Sequence, residues 1–338
     1  MTKWDKDYLQ LCKRILTEGV EVENRTGINT IKVPSHNFHF DLEQEFPILQ
    51  TKQLFFKNAI TEILWIYQAQ SNSVDWLHER NNKVWDEWMI DDDGIYRTYT
   101  TNSDGEKVIK SEKYFGKEFA HTIGTAYGWI VNKYKLTDQL LDTIKNNPHD
   151  RRLVMSLWQN EWLKTAVLPS CVWSSEWDVT DGKLNAWVHQ RSCDVPLGLP
   201  FNVTQYATLL SLVAHCTGLI PGTLDWSIKD AHIYVNQVDG IKEQLNRLDA
   251  YLTYKKIDKN TLVLMRDRIL KETDQYDCKI DNDTLLKILD LIIDPQKPYL
   301  WLNEEKKDFY EFDNSKELSD IKVKNYKHMG KIKFPIAQ

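Results

Sequence analysis

The stretch from Ser174 to Gly218 constrains the fold more than any other part of the chain. Ser174 to Val179 and Lys183 to Gln190 read as strands, and only a short turn holding Asp181-Gly182 separates them. A tight hairpin turn of this kind needs positive φ at its centre, which Gly adopts freely and Asp adopts at modest strain. Phe201 to Thr217 then reads as a long helix, and Gly218 stops it. Antiparallel sheet and a long helix therefore lie side by side in the chain.

Trp4 to Thr17 has apolar residues at helical spacing (Tyr8, Leu9, Cys12, Ile15, Leu16). Arg25-Thr26-Gly27 reads as a turn into a strand near Thr30 to Val33, and Phe38 to Leu42 as a second strand. Phe56 to Gln68 is an apolar helix with Glu62 inside it. Asp91 to Lys117 is polar, with Asp92-Asp93-Gly94 and Asn102-Ser103-Asp104-Gly105 turns, and reads as a surface excursion. Leu136 to Lys145 is a helix stopped at Asn146-Asn147-Pro148, and Arg152 to Trp158 is a strand. Tyr251 to Asp294 is helical and charged, with Leu285, Ile288, Leu289 and Ile292 on one stripe and Pro295 at its end. The remainder, Tyr299 to Gln338, reads as short strands.

Composition removes several classes of function. A length of 338 residues suffices for a sizeable core. A net charge of −6 argues against a protein built for nucleic-acid backbones. The five cysteines (Cys12, Cys171, Cys193, Cys216, Cys278) are scattered and show no CxxC spacing, so neither a disulfide framework nor a zinc site is expected. The polar start Met1-Thr2-Lys3-Trp4 holds no apolar signal core, and no apolar run has the length of a membrane span. A reducing cytoplasm is the expected compartment.

Several side chains carry chemistry. Cys171, behind Leu168-Pro169-Ser170, is either a buried structural thiol or a nucleophile activated by a nearby cation. Arg191-Ser192 offers a forked donor and a hydroxyl suited to phosphate, or else a surface ion pair. Arg151-Arg152 is a basic pair after a Pro-containing turn. Asn202 either caps a helix or reads an amide-like ring edge, since one carboxamide both donates and accepts. Glu62, flanked by Ile60, Ile63, Leu64 and Trp65, either faces solvent from the helix surface or, if buried, needs a partner or a raised pKa. His232 and Tyr234, two apart, share one side of a strand.

Taken in order, these blocks resemble the thymidylate synthase family over most of the chain. The likeness is densest in Gln190-Arg191-Ser192-Cys193-Asp194 and Leu197-Gly198-Leu199-Pro200-Phe201-Asn202. Arg25-Thr26-Gly27, Thr51-Lys52, Glu62-Ile63-Leu64-Trp65, Val84-Trp85-Asp86-Glu87-Trp88, Ala126-Tyr127-Gly128, Asp150-Arg151-Arg152 and Asp230-Ala231-His232-Ile233-Tyr234 also match. So do Leu300-Trp301-Leu302-Asn303 and Lys324-Asn325-Tyr326, especially in the branch of some Bacillus enzymes and their phages.

The resemblance implies an α+β fold of three layers: a mixed β-sheet covered by helices, with one sheet face forming a homodimer interface. It implies one domain over 1–338 with surface insertions at about 91–118 and 251–295, the latter expected as a helical hairpin. It implies reductive methylation of dUMP at C5 with 5,10-methylenetetrahydrofolate as co-substrate, and no metal. By position, Cys171 attacks C6 of uracil; Arg25, Arg191 and Ser192 hold the phosphate; Arg151 and Arg152 reach it from a partner subunit. Asn202 reads the N3/O4 edge, His232 and Tyr234 hold the deoxyribose hydroxyl, Glu62 orders proton transfer near O4, and Tyr127 assists loss of the C5 proton. Asp194 bonds the pterin, Trp85, Trp88, Leu197, Gly198 and Phe201 line the folate side, and Lys52 sits near the folate tail. Three positions depart from the family's habit: Val172 stands where His usually follows the nucleophile, Lys229 replaces a Gly, and Gln338 replaces a terminal aliphatic residue. The alternative activity is hydroxymethylation, in which water captures the methylene and tetrahydrofolate is released. Asn202, where cytosine-specific relatives carry Asp, points to uracil.

Overall fold

The computed structural model describes residues 1–102, 105–271 and 280–336; the Ser103-Asp104 part of an expected turn, Cys278 and Gln338 lie outside the described residues. In chain order the helices are α1 (Lys3–Glu18), α2 (Phe56–Tyr67), α3 (Val74–His78), α4 (Gly128–Tyr134), α5 (Leu136–Asn146), α6 (Gly198–Thr217), α7 (Val238–Tyr254), α8 (Lys259–Leu270) and α9 (Asn282–Ile293). The strands are β1 (Val20–Val22), β2 (Thr30–Asp41), β3 (Ile95–Thr101), β4 (Lys107–Tyr114), β5 (Val154–Ser156), β6 (Val172–Thr180), β7 (Lys183–Gln190), β8 (Cys193–Asp194), β9 (Ile220–Tyr234), β10 (Tyr299–Leu302) and β11 (Ile321–Lys324).

Seven strands form one sheet in the order β1-β2-β9-β7-β6-β5, with β8 beside the far end of β9. It is mixed: β7 and β8 run parallel to β9, and the other pairs are antiparallel. The β6–β7 hairpin turns where expected, with φ of 51° at Asp181 and 72° at Gly182. One face of the sheet is covered by α1 and α6, and α2 packs on α6 as a third layer with α4 beyond it. The helix α2 is buried on every side from Ala59 to Tyr67, which is why its sequence is apolar all round. The other face leaves Val154, Trp173 and Trp187 exposed, and Trp187 lies 5.3 Å from His189.

Two expected strands, near 30–33 and 38–42, are one. Pro34 lacks an N–H, yet β2 continues through it, because β1 pairs only as far as Lys32 and leaves that edge open. Opposite Pro34 the β2–β9 register skips Asp230, whose φ is 57°. The polar excursion holds a hairpin, β3–β4, that rests on the Arg25 turn: Lys110 Nζ donates to the Thr26 carbonyl at 3.3 Å.

The charged segment after Tyr251 is the last turn of α7 followed by α8 and α9 among its described residues. The helix α9 faces two ways. Leu285, Leu289 and Ile293 pack with Leu262 and Ile269 of α8, while Ile288 and Leu291 pack with Tyr251 and Met329. The pair is thus seated on the main body rather than hung from it. Ile288→Ala is expected to lower the unfolding free energy by about 2–5 kcal/mol in chemical denaturation. A loss well under 1 kcal/mol would show that α9 does not share the body's cooperative unit.

Candidate active site

The thiol sits where β6 begins, and three elements converge on it. The Cys171 backbone N–H donates to Tyr127 Oη at 3.0 Å, and its carbonyl accepts from the Arg191 N–H at 2.9 Å. The Arg191 side chain is fixed by two backbone carbonyls, with Nε on Ser170 O at 3.1 Å and Nη2 on Pro169 O at 2.6 Å. That places Nη2 3.8 Å from Cys171 Sγ. Burial pushes the thiol up from its usual range, while Arg191, Tyr127 and Arg25 oppose this in that order. The resting group is a protonated thiol with cations ready to hold its thiolate.

Tyr127 reaches Cys171 from a strained backbone, φ 47° and ψ −110°, at the start of α4. The next residue explains how the turn is tolerated: a Cβ on Gly128 would stand 2.0 Å from the Ser71 carbonyl oxygen. Trp85 lies edge-on to Tyr127 at 5.2 Å, and its Nε1 donates to Glu62 Oε1 at 2.9 Å. Glu62 is only 7 % exposed, and burial raises its pKa to about 7, opposed by the Trp85 bond and by the nearby Gln205 side chain. A carboxyl poised there exchanges protons readily at neutral pH.

Asn202 is not a cap, since α6 begins four residues earlier at Gly198. Its carboxamide is held on both sides: Oδ1 accepts from Gln190 Nε2 at 3.0 Å, and Nδ2 donates to Gln205 Oε1 at 3.0 Å. One N–H and one lone pair remain for a ligand. Among the described residues, and apart from its chain neighbours and the backbone of its own helix, a Cβ built on Gly198 would meet only Asn202 Oδ1 within 4 Å, at 3.6 Å, so there is room beside this amide.

His232 and Tyr234 share a side of β9, as expected, with ring centroids 5.3 Å apart. Arg25 is exposed, yet near enough to Tyr234 and Cys171 to oppose the upward shift that burial gives both groups. Ser192 is half-buried after Arg191. Asp194, on β8 beside His232, accepts from the Leu197 N–H at 3.1 Å and from Gln237 Nε2 at 3.1 Å. Burial raises its pKa. Trp88, Leu197 and Phe201 are half-buried around this side. Lys52 is buried, donates to the Pro196 carbonyl and lies 4.7 Å from the Phe334 ring; burial draws its pKa down to about 8. Arg151 and Arg152 are exposed and line a surface cavity with Asn147, His149 and Asp150; Arg152 pairs with Asp150 at 2.8 Å. None of the contacts described for them reaches Cys171.

Sequence reasoning assigned no part to Gln190, Gln205, Trp226 or Gln237. The Gln237 Nε2 amide joins Asp194 to the Pro335 carbonyl at 3.0 Å. Two signals were present: polar residues inside the buried run of α6, and a Gln at the end of an otherwise alternating β7.

A thiol facing a fixed guanidinium, with a poised carboxyl beyond Tyr127, is the kind of site found in group-transferring enzymes. Known proteins give that class its particulars. A family model described as thymidylate synthase matches residues 6–282. Relatives include a thymidylate synthase of Clostridium beijerinckii, 40 % identical over 337 residues, and one of Bacillus phage phi3T, 31 % identical over 347 residues, each with all of both chains covered. Among solved structures, a thermostable thymidylate synthase A from Bacillus subtilis matches with a TM-score of 0.71 at 31 % identity, again over all of both chains. The chain belongs to the thymidylate synthase family. It is a methyltransferase that converts dUMP to dTMP with methylenetetrahydrofolate as co-substrate.

Proposed function

We propose that the site performs this methylation with Cys171 as nucleophile, and the observation that carries the reading is the Arg191 guanidinium 3.8 Å from its sulfur. The Cys171 thiol gives its proton to solvent, the thiolate held by Arg191 bonds to C6 of the uracil ring, and the displaced electron pair moves to C5 and O4. Asn202 holds the N3/O4 edge, and Glu62 orders proton exchange at O4. Bound methylenetetrahydrofolate supplies both the one-carbon unit, taken by C5, and the hydride that completes the methyl group. Tyr127 assists loss of the C5 proton, and Cys171 departs from C6 at the end. Arg25, Arg191 and Ser192 clamp the phosphate. His232 and Tyr234 receive the deoxyribose hydroxyl.

The room beside Gly198 and the half-buried Trp88, Leu197 and Phe201 suit a pterin, with Trp85 behind them. Asp194, its carboxyl raised by burial, is the polar group on that side. Lys52 serves the folate side through the Pro196–Leu197 turn. Val172 is buried beside the nucleophile and offers no proton, so thiol activation rests on Arg191 and Arg25.

The active form is a homodimer joined through the open sheet face, where exposed Trp173 and Trp187 give an apolar strip. Arg151 and Arg152 then complete the partner's phosphate site, which agrees with their exposure and with the lack of any described contact to their own thiol. The chain works as one domain with excursions near 91–118 and 251–295, in a reducing cytoplasm.

Product analysis is the direct test. Incubation with dUMP and methylenetetrahydrofolate is expected to yield dTMP and dihydrofolate in equal amounts. Hydroxymethyl-dUMP with tetrahydrofolate would overturn the methylation reading.

A further inference from the structure

Gln205 has no part in the chemistry assigned above, yet it stands where two of its members meet. It lies on α6 three residues after Asn202, on the same helical face, and is 2 % exposed. A row of bonds leads to it. Trp226 Nε1 donates to Gln190 Oε1 at 3.0 Å, Gln190 Nε2 donates to Asn202 Oδ1 at 3.0 Å, and Asn202 Nδ2 donates to Gln205 Oε1 at 3.0 Å.

An indole N–H can only donate, so Trp226 fixes the direction of the whole row. Gln190 must turn its oxygen to Trp226 and its NH2 to Asn202. Asn202 must turn its oxygen to Gln190 and its NH2 to Gln205. Gln205 is left with its own NH2 pointing onward, and that Nε2 is buried with no hydrogen-bond partner in the protein. An unpaired buried N–H costs roughly 1–3 kcal/mol. The carboxyl next to the row is Glu62, whose charged form the Gln205 side chain favours.

We propose that Gln205 is a positioning residue that couples base reading to proton exchange, its Oε1 setting the orientation of Asn202 and its Nε2–H serving the Glu62 carboxylate. The proposal deepens the reading given above and rests on Asn202 and Glu62 having the roles stated there. The other groups facing Glu62 are Trp85, Tyr127 before α4 and Tyr206 of α6. Burial holds both tyrosines neutral, and Tyr206 Oη is paired with Tyr67 Oη at 2.6 Å. Burial sets the upward push on Glu62, and Trp85 and Gln205 are the neutral donors that oppose it.

Two variants separate the two halves of the role. Gln205→Glu keeps an acceptor for Asn202 but removes the donor to Glu62. It is expected to keep the preference for dUMP over dCMP within about threefold, while the acid limb of kcat/KM moves to higher pH because two carboxyls now share a proton. Gln205→Met removes both functions; the limb moves up as well, and the preference for dUMP falls about tenfold. Thermal midpoints measured alongside show what fraction of each variant is folded. If both variants retain the wild-type limb and preference, or lose only rate in proportion to lost folded protein, Gln205 is packing and the proposal is overturned. Asn202→Asp without any change in base choice would instead overturn the underlying reading, and this proposal with it.

Discussion

Cys171→Ser is expected to lower kcat by at least roughly ten-thousand-fold while the dissociation constant for dUMP stays within about threefold. In the proposed mechanism the sulfur contributes little to holding the nucleotide, a task given there to Arg25, Arg191, Ser192 and Asn202. It contributes the bond to C6. A hydroxyl in its place has no base to deprotonate it, since its nearest polar neighbours are the Arg191 guanidinium and the Tyr127 hydroxyl. The direction of the thiol's pKa gives a companion result. Because the folded group lies above its ordinary value, alkylation of free enzyme by iodoacetamide should be slow at pH 7 and keep accelerating into the alkaline range. Turnover by Cys171→Ser near the wild-type rate would remove the covalent mechanism.

Asn202→Asp is expected to shift the dUMP to dCMP ratio of kcat/KM by about 10²–10⁴-fold toward dCMP. The size follows from the row of amides. Asn202 offers uracil one N–H and one lone pair, and each suits one of the base's two faces at N3 and O4. A carboxylate there has no donor, so O4 of uracil meets an acceptor, whereas the amino group of cytosine meets a partner. The change also sets an Asp oxygen against Gln205 Oε1, now 3.0 Å from Nδ2, so overall rate should fall. An unchanged ratio in competition assays with both nucleotides would show that another group reads the base.

Local signals carried a good part of the fold in the sequence. Asp181-Gly182 fixed a hairpin, Gly218 ended α6 at φ 72°, and the helical spacing from Trp4 gave α1. Where the outcome depended on distant partners, the sequence was mute. Pro34 divides β2 to the eye, and only the open edge beyond β1 shows why it does not in fact break it. Most of β9 was not read as a strand, because β7, β8 and β2, not its own composition, decide its extent. In the hairpin β3–β4 the second strand is exposed along its whole length, so no buried face marked it by alternation. At the site, the burial cost of Glu62 was legible from its neighbours, and the structure gives it Trp85 and a pKa near neutrality. The strained turn at Tyr127 and the row from Trp226 to Gln205 were not legible, since each exists only through contacts between remote segments.

The pairing of β2 with β9 sets a timetable for the newborn chain. Thr30 lies beside Tyr234 and Asp41 beside Thr223, so β2 waits for about two hundred more residues before its partner is made. At a ribosome speed of roughly 5–20 residues per second, that is roughly 10–40 seconds in which the strand beyond Lys32 has no partner, since β1 covers only its first residues. Its sequence suits the wait: Pro34 cannot donate, and Ser35, Asn37, His39 and Asp41 keep one side polar and ill-suited to stray association. Arg25, which leads into this strand, joins Tyr234 and Cys171 only after the delay, so the proposed phosphate site cannot form until β9 has been made.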